Sequence, residues 1–223
     1  MIDYKNYMDL NHLNKNMVEG QIKPLGNISD QVLNAFISMP RDLFVPTELK
    51  NLSYLEKNID LDNDRFLLKA SLIAKIISIA DFNSNDTVLI IGSSTGYSSA
   101  ILSNIAETVI SIEEDDGLVN FSESVVLNKE IDNVVFLKKE LNKGCPEHGP
   151  FNKILIEGSI ESVPDHLFQQ LDENGKMIAM IVNGDLSEVR EFNKVGDNIG
   201  SKFLFSCEAP KLNAFNKTDS FNF

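Results

Sequence analysis

Val88-Leu89-Ile90-Ile91-Gly92-Ser93-Ser94-Thr95-Gly96-Tyr97-Ser98-Ser99-Ala100-Ile101-Leu102 is the stretch on which the fold turns. It opens with a short Val/Ile-rich run, the pattern of a buried strand. A glycine- and serine-rich turn, Gly92 to Gly96, follows, and the chain passes straight into a helical pattern. Such a turn lets backbone approach a ligand and aims free helix N–H groups at it. The next apolar run, Thr108–Ile112, ends in Glu113, about 20 residues beyond the turn. That is the distance at which a doubly wound sheet sets a carboxylate against a ribose hydroxyl pair. Together these features read as a nucleoside-binding half-site.

Outward from this stretch the pattern alternates. Strands are expected at Thr87–Ile91, Thr108–Ile112, Asn133–Leu137, Lys153–Ile156 and Lys176–Val182, with helices at Tyr97–Ile105, Leu118–Asn128 and Pro164–Leu171 between them. Strand and helix repeated in this way imply an α/β fold, a mostly parallel sheet covered by helices on both faces. Glu188–Lys194 and Ser201–Cys207 read as an antiparallel edge pair, and the tail Asn213–Phe223 as a segment laid over the sheet edge. Upstream, Ser29 is placed to cap a helix carrying Val32, Leu33 and Phe36, which Met39-Pro40 stops. Asn51–Phe66 is polar and irregular, and Leu67–Ala80 has helical periodicity. The expected organisation is an N-terminal helical extension over 1–80 and a Rossmann-like domain over 81–223, packed as one unit.

Composition narrows the function. A net charge of −13 disfavours a nucleic-acid backbone as partner, since phosphate binding needs a basic face, and disfavours an anionic membrane surface as well. The early residues Asp3, Lys5 and Asp9 leave no apolar leader, and no apolar stretch is long enough to span a bilayer. Cys145 and Cys207 form no framework, which suits reduced thiols in a cytoplasmic protein. His12, His148 and His166 lack metal-ligand spacing, so no metal is expected.

In an open α/β sheet, ligands sit beyond the carboxyl ends of the strands. Gly92–Gly96, Glu113, Glu140 and Glu157–Ser159 all fall at or just after such ends. Each has a plainer alternative: a ligand-free tight turn for Gly92 and Gly96, a solvated charge run for Glu113, an exposed turn for Glu140. The turn is Gly-x-x-x-Gly rather than the dinucleotide pattern, and neither a P-loop nor a Gly-x-Ser-x-Gly elbow occurs. What remains is a small nucleoside cofactor without a pyrophosphate, a description that S-adenosylmethionine fits.

Met17-Val18-Glu19-Gly20-Gln21-Ile22 and Met39-Pro40-Arg41-Asp42-Leu43-Phe44-Val45-Pro46 resemble the N-terminal signature of the protein-L-isoaspartate O-methyltransferase family. Val88–Leu102 is similar to that family's first cofactor motif, and Pro150-Phe151-Asn152-Lys153-Ile154-Leu155-Ile156 to its fourth-strand motif. The resemblance runs from about residue 17 to 215 and implies a Rossmann-like, S-adenosylmethionine-dependent methyltransferase fold. The implied reaction is methylation of isoaspartyl carboxylates in damaged proteins, with a protein or peptide as substrate and a monomer or weak homodimer as the acting species. It further implies that Gly92, Ser93, Ser94, Gly96 and Tyr97 line the cofactor, that Glu113 accepts from the ribose hydroxyls, and that Glu140 lies near the adenine amine.

The chain departs from the family pattern at particular places. Ile90 stands where the family has an acidic residue, and Ser94 where it has the middle glycine of its turn. The family's Thr-Ile-Ser-Gln-Pro substrate segment is replaced by Asp64-Arg65-Phe66-Leu67-Leu68-Lys69-Ala70. No catalytic serine therefore carries over, and Arg65 and Lys69 are the candidates for facing an acceptor carboxylate. Those departures keep two alternatives open: a methyltransferase acting on another acceptor, and a non-catalytic binding or regulatory member of the family.

Overall fold

Ser29 sits where the N-terminal helical segment needs a cap, and its side chain accepts the Val32 N–H at 3.3 Å. In the computed structural model, which describes residues 10–216, the capped helix is α2 (Asp30–Ser38), preceded by α1 (Leu10–Met17). Next come a short hairpin, β1 (Ile59–Asp60) with β2 (Phe66–Leu67), and helix α3 (Ala70–Ala80). The alternating part runs β3 (Thr87–Ile91), α4 (Tyr97–Leu102), β4 (Thr108–Glu113), α5 (Asp116–Asn128) and β5 (Val134–Lys138). It continues with β6 (Phe151–Ile160), α6 (Asp165–Phe168), β7 (Leu171–Asn183), β8 (Leu186–Val195) and β9 (Asn198–Cys207).

The last seven strands form one sheet in the order β5-β4-β3-β6-β7-β8-β9. All pairings from β5 to β7 are parallel, and β8 and β9 add the expected antiparallel pair. The chain winds outward from β3 through β4 to β5, then returns to the other side of β3 as β6. That reversal makes the carboxyl ends of β3, β4 and β6 the switch point of the sheet, where open α/β folds place ligands. After Thr87, β3 is apolar because both faces are covered; Val88, Leu89, Ile90 and Ile91 are all fully buried.

Three expectations need correction. Helix α3 starts at Ala70 rather than Leu67, because Phe66 and Leu67 pair with Ile59 and Asp60. The helix expected over Pro164–Leu171 is a single turn, Asp165–Phe168, since Leu171 already belongs to β7. The segment after β9 does not lie along the sheet edge. Lys211 forms a parallel bridge with Ser159 of β6, which carries 208–215 across the carboxyl ends of β3 and β6. Residues 217–223 of the tail, with Asp3, Lys5 and Asp9, lie outside the described residues.

The N-terminal segment closes over α4. Tyr97, fully buried, meets the edge of Phe36 at 5.9 Å and Phe44 at 5.3 Å, and the Arg41 guanidinium stacks 5.0 Å from its ring. One continuous set of buried apolar side chains joins residues of the N-terminal segment to those of the sheet.

Candidate functional site

The turn after β3 uses left-handed backbone at alternate positions: φ is +81° at Gly92, +53° at Ser94 and +81° at Gly96. Gly96 has no alternative, because a Cβ there would lie 2.6 Å from Phe136 Cζ. Ser94 adopts the same backbone without being glycine, and its Oγ is buried with no hydrogen-bond partner. The turn is tied to β4, Gly92 N–H and Ser93 N–H both donating to the Ile112 carbonyl.

Glu113 ends β4 beneath this turn and is fully buried. Its Oε2 accepts from Ser94 N–H at 2.8 Å and from Arg65 Nη2 at 2.5 Å. Its Oε1 accepts from Glu114 N–H at 2.8 Å and Asp115 N–H at 3.3 Å. The structure thus brings Gly92, Ser93, Ser94, Gly96 and Glu113 together at the switch point, as the strand–turn–helix pattern implied. Arg65 joins them unexpectedly: its side chain, 9% exposed, points inward to Glu113 instead of outward to an acceptor.

The other named positions go elsewhere. Tyr97 is part of the N-terminal core rather than the turn's ligand face, and burial raises its phenol above the ordinary range. Ile90 is fully buried in mid-sheet, flanked by Ser111 and Leu155, so a carboxylate there would be an uncompensated core charge. Lys69 starts α3; its N–H donates to Asn58 Oδ1 and its ammonium faces Glu56 at 3.9 Å. Glu140 is solvent-exposed and 3.4 Å from Lys143, on the rim of a cavity of about 650 Å³ that also includes Glu114, Lys139 and Pro146.

Glu157, placed from sequence at a strand end, and Arg41, quoted in the N-terminal signature, also come to the site, and Leu212, not singled out from sequence, joins them. Glu157 of β6 is buried with its carboxyl taking the Ser98 hydroxyl proton as a hydrogen bond. Burial pushes its pKa up to about 7, against the opposing pull of Ser98 and Arg65. Arg41 is wholly buried, gives Nη2 to the Leu68 carbonyl at 2.7 Å and leaves Nε and Nη1 without partners. Burial lowers its pKa from the usual range. Leu212 lies 3.4 Å from where a Gly92 Cβ would be, and only 2.6 Å from that of Gly158.

Away from the turn, Cys145, Glu147 and His148 bring a sulfur, a carboxylate oxygen and a ring nitrogen within 4.8 Å, a grouping that separate histidine spacings do not reveal. Lys139 pairs with Glu147, and burial pushes the Cys145 thiol up, away from the thiolate form.

S-adenosylmethionine would need the space above Gly92 and free acceptor positions on Glu113. A carboxylate offers about four lone-pair positions, and three N–H groups and the Arg65 guanidinium use those of Glu113. The guanidinium also lies 3.3 Å from where a Gly92 Cβ would stand. In this conformation the backbone cradle is built but filled by the chain's own side chains, and the cofactor does not fit.

A family model described as protein-L-isoaspartate(D-aspartate) O-methyltransferase matches residues 11–207. A protein-L-isoaspartate O-methyltransferase of Methanospirillum hungatei is 29% identical over 181 residues, covering 81% of this chain and 84% of the relative. One from Petrotoga mobilis is 28% identical over 191 residues, covering 85% and 90%. A solved structure of a putative protein-L-isoaspartate O-methyltransferase from Plasmodium falciparum, in complex with S-adenosyl-L-homocysteine, superposes with a TM-score of 0.75. It shares 22% identity, over 90% of this chain and 98% of its own. At that identity the structural likeness establishes the Rossmann-like fold.

Proposed function

The chain belongs to the protein-L-isoaspartate(D-aspartate) O-methyltransferase family, and from that premise we propose that it is an S-adenosylmethionine-dependent methyltransferase of isoaspartyl carboxylates in proteins or peptides. The observation that carries this reading is the join between family match and site. The match spans 11–207, and within it Glu113 sits under the Gly92–Gly96 turn with Ser94 N–H donating to its carboxylate. The cofactor, when bound, supplies the methyl group.

The chain's own residues supply position rather than acid–base chemistry. An acceptor carboxylate is already ionised at neutral pH, so no general base is required, and no Ser-His-Asp set is needed. The segment 64–70 offers an acceptor little polarity. Leu67 and Leu68 are buried, the Leu68 carbonyl is taken by Arg41, and Lys69 is half-buried with its ammonium facing Glu56. Discrimination of isoaspartyl from aspartyl then rests on pocket shape.

No helix among the described residues is long and apolar enough to cross a membrane. The free thiols of Cys145 and Cys207 support a reducing, cytoplasmic location, and we take a monomer or weak homodimer as the working species. A methyl-radiolabel assay on an isoaspartyl peptide and its aspartyl twin tests the activity. Transfer to the isoaspartyl peptide alone is expected; transfer to neither removes the isoaspartyl assignment. One specific observation favours a second reading, a family member without turnover: Arg65 is paired with Glu113, the carboxylate this reading assigns to the cofactor's ribose.

A further inference from the structure

We propose that Arg65 is a built-in occupant of the cofactor site, held there by a two-part lid, so that the Arg65–Glu113 pair and a bound S-adenosyl ligand exclude each other. The inference rests on the cofactor reading above and adds to it the device that controls access.

The first part of the lid is the β1–β2 hairpin. Its loop reverses through two left-handed residues, Asn63 at φ +60° and Asp64 at φ +54°, and closes with Leu61 N–H on the Arg65 carbonyl at 2.8 Å. This geometry places Arg65 at the start of the returning strand, aimed at the end of β4. The second part is the strap 208–215. It is pinned to β6 by Ser159 N–H on Pro210 O at 2.7 Å and Leu212 N–H on Ser159 O at 2.9 Å. Leu212, 1% exposed, thereby presses on Gly92 and Gly158, while Phe66 covers Gly158 from the hairpin side.

The parts are tied at their edges, and the ties are of a kind that opens easily. Asn63 Nδ2 donates to Asp115 Oδ2 at 2.9 Å, and Asn213 Nδ2 donates to Asp64 Oδ2 at 3.1 Å; both contacts are solvent-exposed. The hairpin itself contains only two paired positions. Ile59, Phe66 and Leu67 of the hairpin and Leu212 of the strap are buried, so opening withdraws these side chains together with the edge ties, while the cradle on β3, β4 and β6 stays in the sheet.

Inside, the accounting is exclusive. Of the about four acceptor positions on Glu113, the Ser94, Glu114 and Asp115 N–H groups hold three, so a ribose hydroxyl gains a place on Oε2 only if Arg65 leaves it. Arg65 also has a cost in the closed form, because its Nε is buried without a partner. A cationic sulfonium and a guanidinium would repel each other in the same buried space. Opening is therefore the step on which ligand binding depends, and the apparent dissociation constant is the intrinsic one divided by the open fraction.

The test is a calorimetric titration of the full chain with S-adenosylhomocysteine, in wild type, Arg65→Ala and Leu212→Ala, with hydrogen exchange on each. Leu212→Ala leaves the ion pair intact, so the test survives if Arg65→Ala fails to fold. Each folded variant is expected to bind at least about tenfold tighter than wild type, in line with a larger open fraction. In wild type, amides of 59–67 and 208–215 are expected to lose protection on binding. Equal affinity in wild type and variants, or full protection of those segments in the bound protein, overturns the lid and leaves the cofactor reading standing. Failure of every folded protein to bind overturns the cofactor reading and the lid with it.

Discussion

Glu157 and Ser94 are the residues whose environments make the sharpest demands. Glu157 is a buried carboxyl facing Ser98, Arg65, Glu113 and Arg41, and burial sets its pKa near 7 in the folded protein. Between its ordinary value of 4.5 and about 7, the native state holds a proton that the unfolded chain has released. Stability contributed by the neutral form is thus complete below about 4.5 and falls as pH rises through 7, by on the order of 3 kcal/mol. Urea unfolding at pH 5 and pH 8 should show this loss in wild type and a smaller one in Glu157→Gln; parallel profiles would contradict the assignment. Ser94→Gly removes a left-handed serine and a buried unpartnered hydroxyl, at the cost of added chain entropy. A gain in stability of up to about 1 kcal/mol is expected from the same measurement, and a loss larger than the roughly 1 kcal/mol that glycine's chain entropy costs would mean that the hydroxyl has a partner in solution. Glu113 was legible in the sequence because a strand end is a local signal. Arg65 as its partner was not, because nothing local encodes an ion pair between a hairpin and the end of a distant strand.

Elements with explicit punctuation were legible, and those built by partners were not. β3 is bounded as its apolar run implied, and α2 starts where Ser29 stands. Ser29→Ala should cost about 1 kcal/mol, the usual cost of losing a helix cap, seen as a lower unfolding midpoint with an unchanged slope. A change below a few tenths would mean that water replaces the cap without penalty. The start of α3 was misread because Leu67 and Leu68 continue its apolar stripe, yet Phe66 and Leu67 are claimed by pairing with β1. Similarly, β6 runs past Ile156 to Ile160 with a register shift against β7 between Leu155 and Ser159, a bulge whose one sequence mark is Gly158 at φ +155°. That shift positions Ser159 to receive the strap, a partner 50 residues on that no local pattern encodes.

For the molecule as a whole, the N-terminal segment is part of the core, not an appendage beside it. Phe36 and Phe44 enclose Tyr97, the first residue of α4 directly after the Gly92–Gly96 turn, and Arg41 reaches from the same segment to the Leu68 carbonyl. The segment therefore buttresses the turn from behind while the hairpin and strap cover it from the front. Because the apolar contacts run without a break from α2 into the sheet, we expect residues 10–216 to unfold as one cooperative unit. Phe36→Ala tests this at a fully buried position. Truncating a buried phenylalanine typically costs about 3–5 kcal/mol, and in a single unit that loss must be felt everywhere at once. The slowest-exchanging amides of β3 should lose protection by the same free energy that denaturant unfolding reports for the whole chain. If β3 keeps its wild-type protection while α2 alone opens, the N-terminal segment is a separately folding layer. The support it gives Tyr97 would then be dispensable for the cradle.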